Sequence, residues 1–345
     1  MRPSFHPRLV NNPFGDPGLF IPFLYDNRAI LFDLGDIQAL SARDILKTTH
    51  IFVTHTHMDH FIGFDRLLRL CLGREKTLHL FGPEGFLKNV EGKLAGYRWN
   101  LVAHYPNRFL LNVTEVGKNG LSTKQYLCGN KFLNENKTQK AGFNGTLTKE
   151  PGFSVSAVIL DHRIPCLGLS ILEKFHVNIK KEAIRALGLD IGPWLKEFKQ
   201  ALFNNQEPGS EFDVTFGQNR KMHKRFRLEE LTRRIAIISP GQKITYVTDV
   251  RYNDSEFRKI RDFAKGSDQL FIETAFLEKD ARMAREKYHL TTRQAGTIAG
   301  HARAKRIIPF HFSPRYTNQA HLLSEETQAA YKKALKESSP PTDHG

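Results

Sequence analysis

Cysteine is scarce in this chain of 345 residues: Cys71, Cys128 and Cys166 are an odd number, far apart, with no C-x-x-C pair. That excludes a disulfide framework and a cysteine zinc knuckle, and it fits a reducing compartment, the cytoplasm. No stretch approaches the roughly 18 uninterrupted apolar residues of a membrane span, and the opening MRPSFHPRLVNNPFGDPG lacks the apolar centre of a secretory signal. A soluble protein without a membrane partner is expected. There is no short-period repeat, so a solenoid is excluded. Acidic residues are also in deficit, with 36 Asp and Glu against 51 Lys and Arg, a formal charge of +15. Such an excess favours a polyanionic partner and says nothing about fold. A hydrophobic fraction of 40% over this length is enough for a full core.

Short apolar runs alternate with helical spacing. FIPFLY and AILFDLG read as a hairpin, followed by a helix near Leu40 to Leu46. IFVTHTHMDHFIGFDRLLRL reads as strand, polar turn and helix, the last carrying Phe64, Leu67, Leu68 and Cys71 on one side. LHLFGPEGFLKNV repeats that order, FLLNVTEV is a strand, and the Asn-, Lys- and Gly-rich region of about 116 to 150 is a loop or hairpin excursion. FSVSAVILDH and CLGLSILEK follow as core strands. Strands resume with RIAIIS, KITYVTDV and QLFIETAF, then a helical stretch through KYHLTTRQAGTIAGHARA and a last strand RIIPFHF. Two strand sets with interleaved helices are satisfied by two sheets packed face to face, an α/β (α+β) architecture with helices outside. Between the sets, about 175–234 reads as an inserted arm: helix, Gly-Pro turn and helix, then RKMHKRFR, which is either a solvated basic face or a nucleic-acid contact. Residues 1–325 form the main domain and 326–345 a polar tail.

The chemistry concentrates at strand ends. His55, His57, Asp59 and His60 follow one apolar strand directly, and imidazole with carboxylate suits zinc and similar borderline ions. Alternating donors in a turn can serve two ions. His162, Asp249 and His311 end three further strands; any one alone reads equally well as a satisfied structural residue. Glu273 ends another strand and His289 precedes a helix. They are either a proton-relay pair or, separately, an ion-pair partner and a helix cap.

The order HxHxDH, His, Asp, His resembles the metallo-beta-lactamase superfamily. The resemblance implies a four-layer αββα sandwich. It places one metal on His55, His57 and His162 and a second on Asp59, His60 and His311, with Asp249 bridging. The expected cofactors are two zinc ions, with manganese or iron as alternatives. Within the superfamily, ETAF with YHLTTRQA, DHRIPCLG and PFHFSPRY are similar to ribonuclease Z segments. That implies a zinc-dependent endoribonuclease cutting the 3′ trailer from precursor tRNA to leave a tRNA 3′-hydroxyl and a trailer 5′-phosphate. By the same resemblance Asp59 accepts the attacking water's proton, Glu273 and His289 assist the leaving 3′-oxygen, and the arm around Gly192 and Pro193 holds tRNA. Arg315 and Tyr316 are weaker substrate-binding candidates, and a homodimer is the family expectation. Departures are NNPFGDPG in place of a Gly-rich opening, Ile272 before Glu273, and IPC where IPS is usual. The alternatives are a hydrolase of another phosphodiester, an arylsulfate or a thioester on the same scaffold, and an RNA-binding module without activity.

Overall fold

The computed structural model describes residues 5–24, 26–133, 138–217 and 222–338. Strands β1 (Arg8–Leu9), β2 (Leu19–Pro22), β3 (Ala29–Phe32), β4 (Thr48–Phe52), β5 (Lys76–Pro83), β6 (Phe109–Gly117), β7 (Gly120–Leu127) and β8 (Gln139–Ala141) lie side by side in chain order in one sheet. From β3 to β6 they are parallel. Parallel neighbours need crossovers, and these carry helices α1 (Ala42–Lys47), α2 (Met58–Phe61), α3 (Phe64–Cys71) and α4 (Phe86–Ala95). Ser41 caps α1 by accepting from the Asp44 N–H.

The period of two decides the layers. Leu31, Ile51 and Leu80 pack under Phe64, Leu67 and Phe86 of the helices, while Phe32, Phe52 and Phe81 point into the space between sheets. There they meet Leu169, Ile171, Tyr246 and Phe310 from the second sheet. That sheet begins with β9 (Thr146–Lys149), β10 (Phe153–Asp161) and β11 (Pro165–Glu173).

The chain then leaves it. β12 (Phe175–Ile179), α5 (Lys181–Ala186), α6 (Trp194–Phe203), β13 (Glu211–Phe216), β14 (Met222–Arg227), α7 (Leu228–Ile235) and β15 (Ala236–Pro240) enclose a separate cluster containing Trp194, Phe198, Val214, Phe226 and Leu231. RIAIIS, read from sequence as a strand of the main sheet, instead pairs with β12, from Phe175 opposite Pro240 to Ile179 opposite Ala236. An apolar run does not encode its partner; here the two strands close the base of the excursion. In RKMHKRFR, residues 220 and 221 lie outside the described residues, and the rest forms β14 of a hairpin.

The main sheet resumes with β16 (Lys243–Val247), α8 (Asp254–Phe263), β17 (Gln269–Glu273), α9 (Ala281–Lys287), α10 (Thr292–His301) and β18 (Ile307–Phe310). Its order is β18-β17-β16-β11-β10-β9, the first three parallel. Ile260, Ile298 and Ala299 cover its outer face. The result is the αββα sandwich.

The segment from 326, expected as a tail, is helical up to Glu337. Helix α11 (Ala320–Glu337) buries Leu323, Thr327 and Ala334. Its partner is α10, whose glycines permit backbone contact: a Cβ on Gly296 would stand 2.4 Å from the Thr327 carbonyl oxygen, and one on Gly300 2.5 Å from Ala334 Cβ. Gly300→Val should therefore lower stability by about 1–3 kcal/mol, measured by urea unfolding, because the two helices cannot separate without losing that packing.

Candidate metal centre

The parallel strands β4, β16, β17 and β18 end at one rim of the sandwich, the position where open α/β sheets gather functional loops. His55, His57, Asp59 and His60 stand after β4, Asp249 after β16, Glu273 ends β17, and His311 follows β18. The antiparallel β10–β11 turn adds His162, and the α9–α10 connection adds His289. Several of these positions hold a left-handed backbone without glycine: φ is 53° at Asp249, 57° at His311 and 62° at both Arg163 and Tyr288. Such conformations persist only where the surroundings impose them, and four of the ten non-glycine examples among the described residues stand in these loops.

All seven expected donors come together. His55, His57 and His162 offer nitrogens within 4.8 Å of one another, and so do the donor atoms of Asp59, His60 and His311. Asp249 lies between. Its Oδ1 is 3.7 Å from His162 Nε2 and its Oδ2 is 2.9 Å from His60 Nε2 and 3.4 Å from His311 Nδ1. His55, His60 and Asp249 are buried, whereas His57 is exposed and Asp59 partly so.

Neighbouring groups fix the imidazoles. His162 Nδ1 donates to the Tyr288 carbonyl at 2.9 Å, which turns Nε2 inward. His60 Nδ1 lies 2.9 Å from Asp33 Oδ2, a carboxylate that also accepts from Thr54 N, Thr54 Oγ1 and Tyr246 OH. Asp33 was missed in the sequence: within AILFDLG, read as one strand of a hairpin, a single aspartate carries no mark of a role. It is fully buried and orients a donor from behind, as outer carboxylates do around metal-bound histidines. Gly35 permits this approach, since a Cβ there would stand 2.4 Å from the Asp59 carbonyl oxygen.

The donors fit a metal. Nε2 of His55 and of His60 are buried without a hydrogen bond, although Asp249 Oδ2 faces the latter. Burial, then the neighbouring His60, pushes the His55 imidazole down to about 2, so it presents a neutral lone pair. Burial opposes charge on His311 too, yet Asp249 and the hydrogen-bonded Asp59 and Glu273 lift it to about 10. Burial likewise works against the Asp59 carboxylate, but His311 and His60 hold it down at about 2. Carboxylates already stabilised by nearby positive charge are placed to accept a cation instead of those protons.

Glu273 is fully buried. Its Oε1 accepts from Val250 N at 2.9 Å and Leu290 N at 3.3 Å, and its Oε2 from His289 Nδ1 at 2.8 Å. Burial disfavours charge on both partners, but each offsets it for the other: Glu273 is lowered by His289 and His289 raised by Glu273. His289 is not the helix cap; Thr291 caps α10 in a capping box with Gln294.

The weaker candidates are placed elsewhere. Tyr316 is buried, and its hydroxyl donates to Asp280 Oδ2, so it tethers loops and presents no group to a substrate. Arg315 faces Asp280 Oδ1 at 3.6 Å and lies over the Tyr316 ring. Gly192 and Pro193 precede α6 in the excursion, apart from the donor cluster.

Residues 177–312 match the model of the Beta-lactamase superfamily domain. Over 91% of this chain and 93% of the other, the fold is similar to human tRNase Z, short form, with a TM-score of 0.50 at 18% identity. It is also similar to the metallo-beta-lactamase fold protein YhfI from Bacillus subtilis, with a TM-score of 0.51 at 13% identity, covering 94% and 92%. In sequence the chain is 29% identical over 291 residues to the ribonuclease Z of Deinococcus radiodurans, covering 83% of each. Fold and donor set are like those of the metallo-beta-lactamase superfamily, with a candidate divalent-metal site at the sandwich rim. Within that superfamily the sequence is similar to the ribonucleases Z. No helix among the described residues is long and apolar enough to cross a membrane.

Proposed function

We propose that this protein cleaves the 3′ trailer from precursor tRNA, leaving a 3′-hydroxyl on the tRNA and a 5′-phosphate on the trailer. The observation that carries the reading is the Asp249 carboxylate, with its two oxygens facing two different histidine sets and the Glu273–His289 pair beside it. His55, His57 and His162 would hold one zinc ion, Asp59, His60 and His311 a second, with Asp249 shared between them. Two such ions lower the pKa of a water and neutralise charge developing on phosphorus. Asp59, partly exposed at the cluster edge, takes the proton of the attacking water. His289 carries its proton on the far side of the Glu273 hydrogen bond and gives it to the departing 3′-oxygen. Glu273 fixes the tautomer and keeps the imidazolium charged.

The excursion from Phe175 to Pro240 supplies phosphate contacts remote from the cut; on its hairpin the exposed Lys224 gives one of its three N–H donors to the Leu187 carbonyl at 3.1 Å, while Arg225 beside it is paired with Glu211 and Asp213. A homodimer in which one subunit lends this arm to RNA on the other belongs to the same reading, and sedimentation velocity tests it.

The deciding experiment incubates zinc-loaded protein with a 3′-extended precursor tRNA and, separately, with bis-p-nitrophenyl phosphate, and maps the RNA ends. A cut at the discriminator is expected. RNA cleavage should weaken by about ten- to a thousandfold between 50 and 200 mM salt, if several phosphates are neutralised, while turnover of the small ester stays nearly level. Turnover of the ester without a cut near the discriminator would sink the tRNA reading.

A further inference from the structure

Two residues whose side chains no step above uses flank the donors in sequence and meet in space. Arg163 follows His162, Tyr288 precedes His289, and the Arg163 guanidinium carbon lies 4.9 Å from the centre of the Tyr288 ring. Tyr288 stands where α9 ends, with φ 62° and ψ 39°, a left-handed helix end that is usually glycine. Arg163 holds φ 62° at the tip of the β10–β11 turn, its N–H donating to Asp161 Oδ1 at 2.8 Å. Neither conformation is one that an arginine or a tyrosine prefers, so the side chains, not the turns, account for these residue types.

The guanidinium is uncommitted. It is exposed, and among the described residues no carboxylate lies within ion-pair distance of it. The nearest acid in sequence, Asp161, gives its other oxygen to Arg251 at 2.7 Å. Stacking on a ring restrains the plane of a guanidinium while leaving its edge N–H groups free, and that edge matches two oxygens of a phosphate. The Tyr288 carbonyl meanwhile holds His162, so the stacked pair is tied at a fixed offset to the metal centre.

We propose that Arg163, braced by Tyr288, is a phosphate clamp on the His162 side of the centre that grips the RNA backbone at a phosphate next to the scissile one. The proposal rests on the reading of the site as an RNA phosphodiesterase. It assigns to this pair the positioning of a polynucleotide, a demand that a substrate with a single phosphate does not make.

The test compares wild type, Arg163→Ala, Arg163→Lys and Tyr288→Gly, all zinc-loaded. Binding of a labelled single-stranded RNA is read by fluorescence anisotropy, and turnover by precursor tRNA and by bis-p-nitrophenyl phosphate. Arg163→Ala should weaken RNA binding by about 10- to 100-fold, the range of a charge-assisted hydrogen-bond pair. The effect should fall on KM, and the slope of log affinity against log salt should become shallower by about 0.7, one phosphate's share. The small ester should lose less than about threefold. Arg163→Lys should recover only part, since it keeps the charge without the fork. Tyr288→Gly suits the backbone and keeps the carbonyl that holds His162; it removes the brace together with the ring's edge contact to the His162 imidazole, centres 6.4 Å apart, and should weaken RNA binding while zinc content, read alongside, stays at wild type. Equal losses on both substrates, loss of zinc, or an unchanged salt slope would overturn the clamp. Because binding is measured directly, a wild type that binds RNA but leaves precursor tRNA uncut defeats the tRNA reading and still decides the clamp.

Discussion

Asp249→Ala empties the centre and lowers turnover of every substrate by at least about three orders of magnitude, well beyond the 10- to 100-fold that loss of an outer partner costs. The reason is its position. One carboxylate oxygen faces His162 and His289, the other faces His60 and His311 and accepts from Thr248 Oγ1 at 2.7 Å. Both donor sets meet at this group, and removing it leaves four imidazoles around a gap in which the remaining carboxylates cannot replace its two-sided reach. The variant remains testable because the fold does not depend on it: the inter-sheet core is apolar and lies behind the rim. Elemental analysis should find less than one zinc per chain, with circular dichroism unchanged. Asp249→Asn keeps the shape and loses the charge. If the amide retained both ions and activity, the assignment of Asp249 as the shared ligand would fail.

The donors were legible because metal chemistry writes itself locally. HTHMDH places four donors in one turn, and His162, Asp249 and His311 each end an apolar run. The layers were legible too, since two strand sets with interleaved helices call for two sheets packed face to face; which face each side chain of the continuously apolar AILF and IFV takes is visible only in the structure. What escaped was of two kinds. Asp33 acts only through partners distant in sequence, Thr54, His60 and Tyr246, so nothing near it announces the role. RIAIIS and α11 were misplaced because pairing is not a property of a segment. The first was read as a strand of the wrong sheet, and the second as a tail because its buried stripe is narrow and partly made of small residues. Arg315 and Tyr316, close in sequence to His311, both contact Asp280, a partner that nothing near them in the sequence announces.

His289→Ala separates holding the metals from finishing the reaction. His289 Nδ1 is given to Glu273 Oε2 at 2.8 Å, and Glu273 is itself fixed by Val250 N and Leu290 N. That leaves Nε2 as the nitrogen able to hand over a proton, and the imidazole lies on the edge of the donor cluster with part of its surface open. A 3′-alkoxide is a poor leaving group and needs that proton; p-nitrophenolate is a good one and leaves without it. The variant should therefore keep wild-type zinc content while cleavage of precursor tRNA falls by about 10²- to 10⁴-fold, the usual contribution of a positioned general acid. Hydrolysis of bis-p-nitrophenyl phosphate should fall by less than about tenfold, because little charge on its leaving oxygen needs quenching. Zinc loss matching that of Asp249→Ala would make His289 a ligand. An equal fall on both substrates with zinc retained would place its effect before departure of the leaving group, and the relay would have to be assigned to another residue.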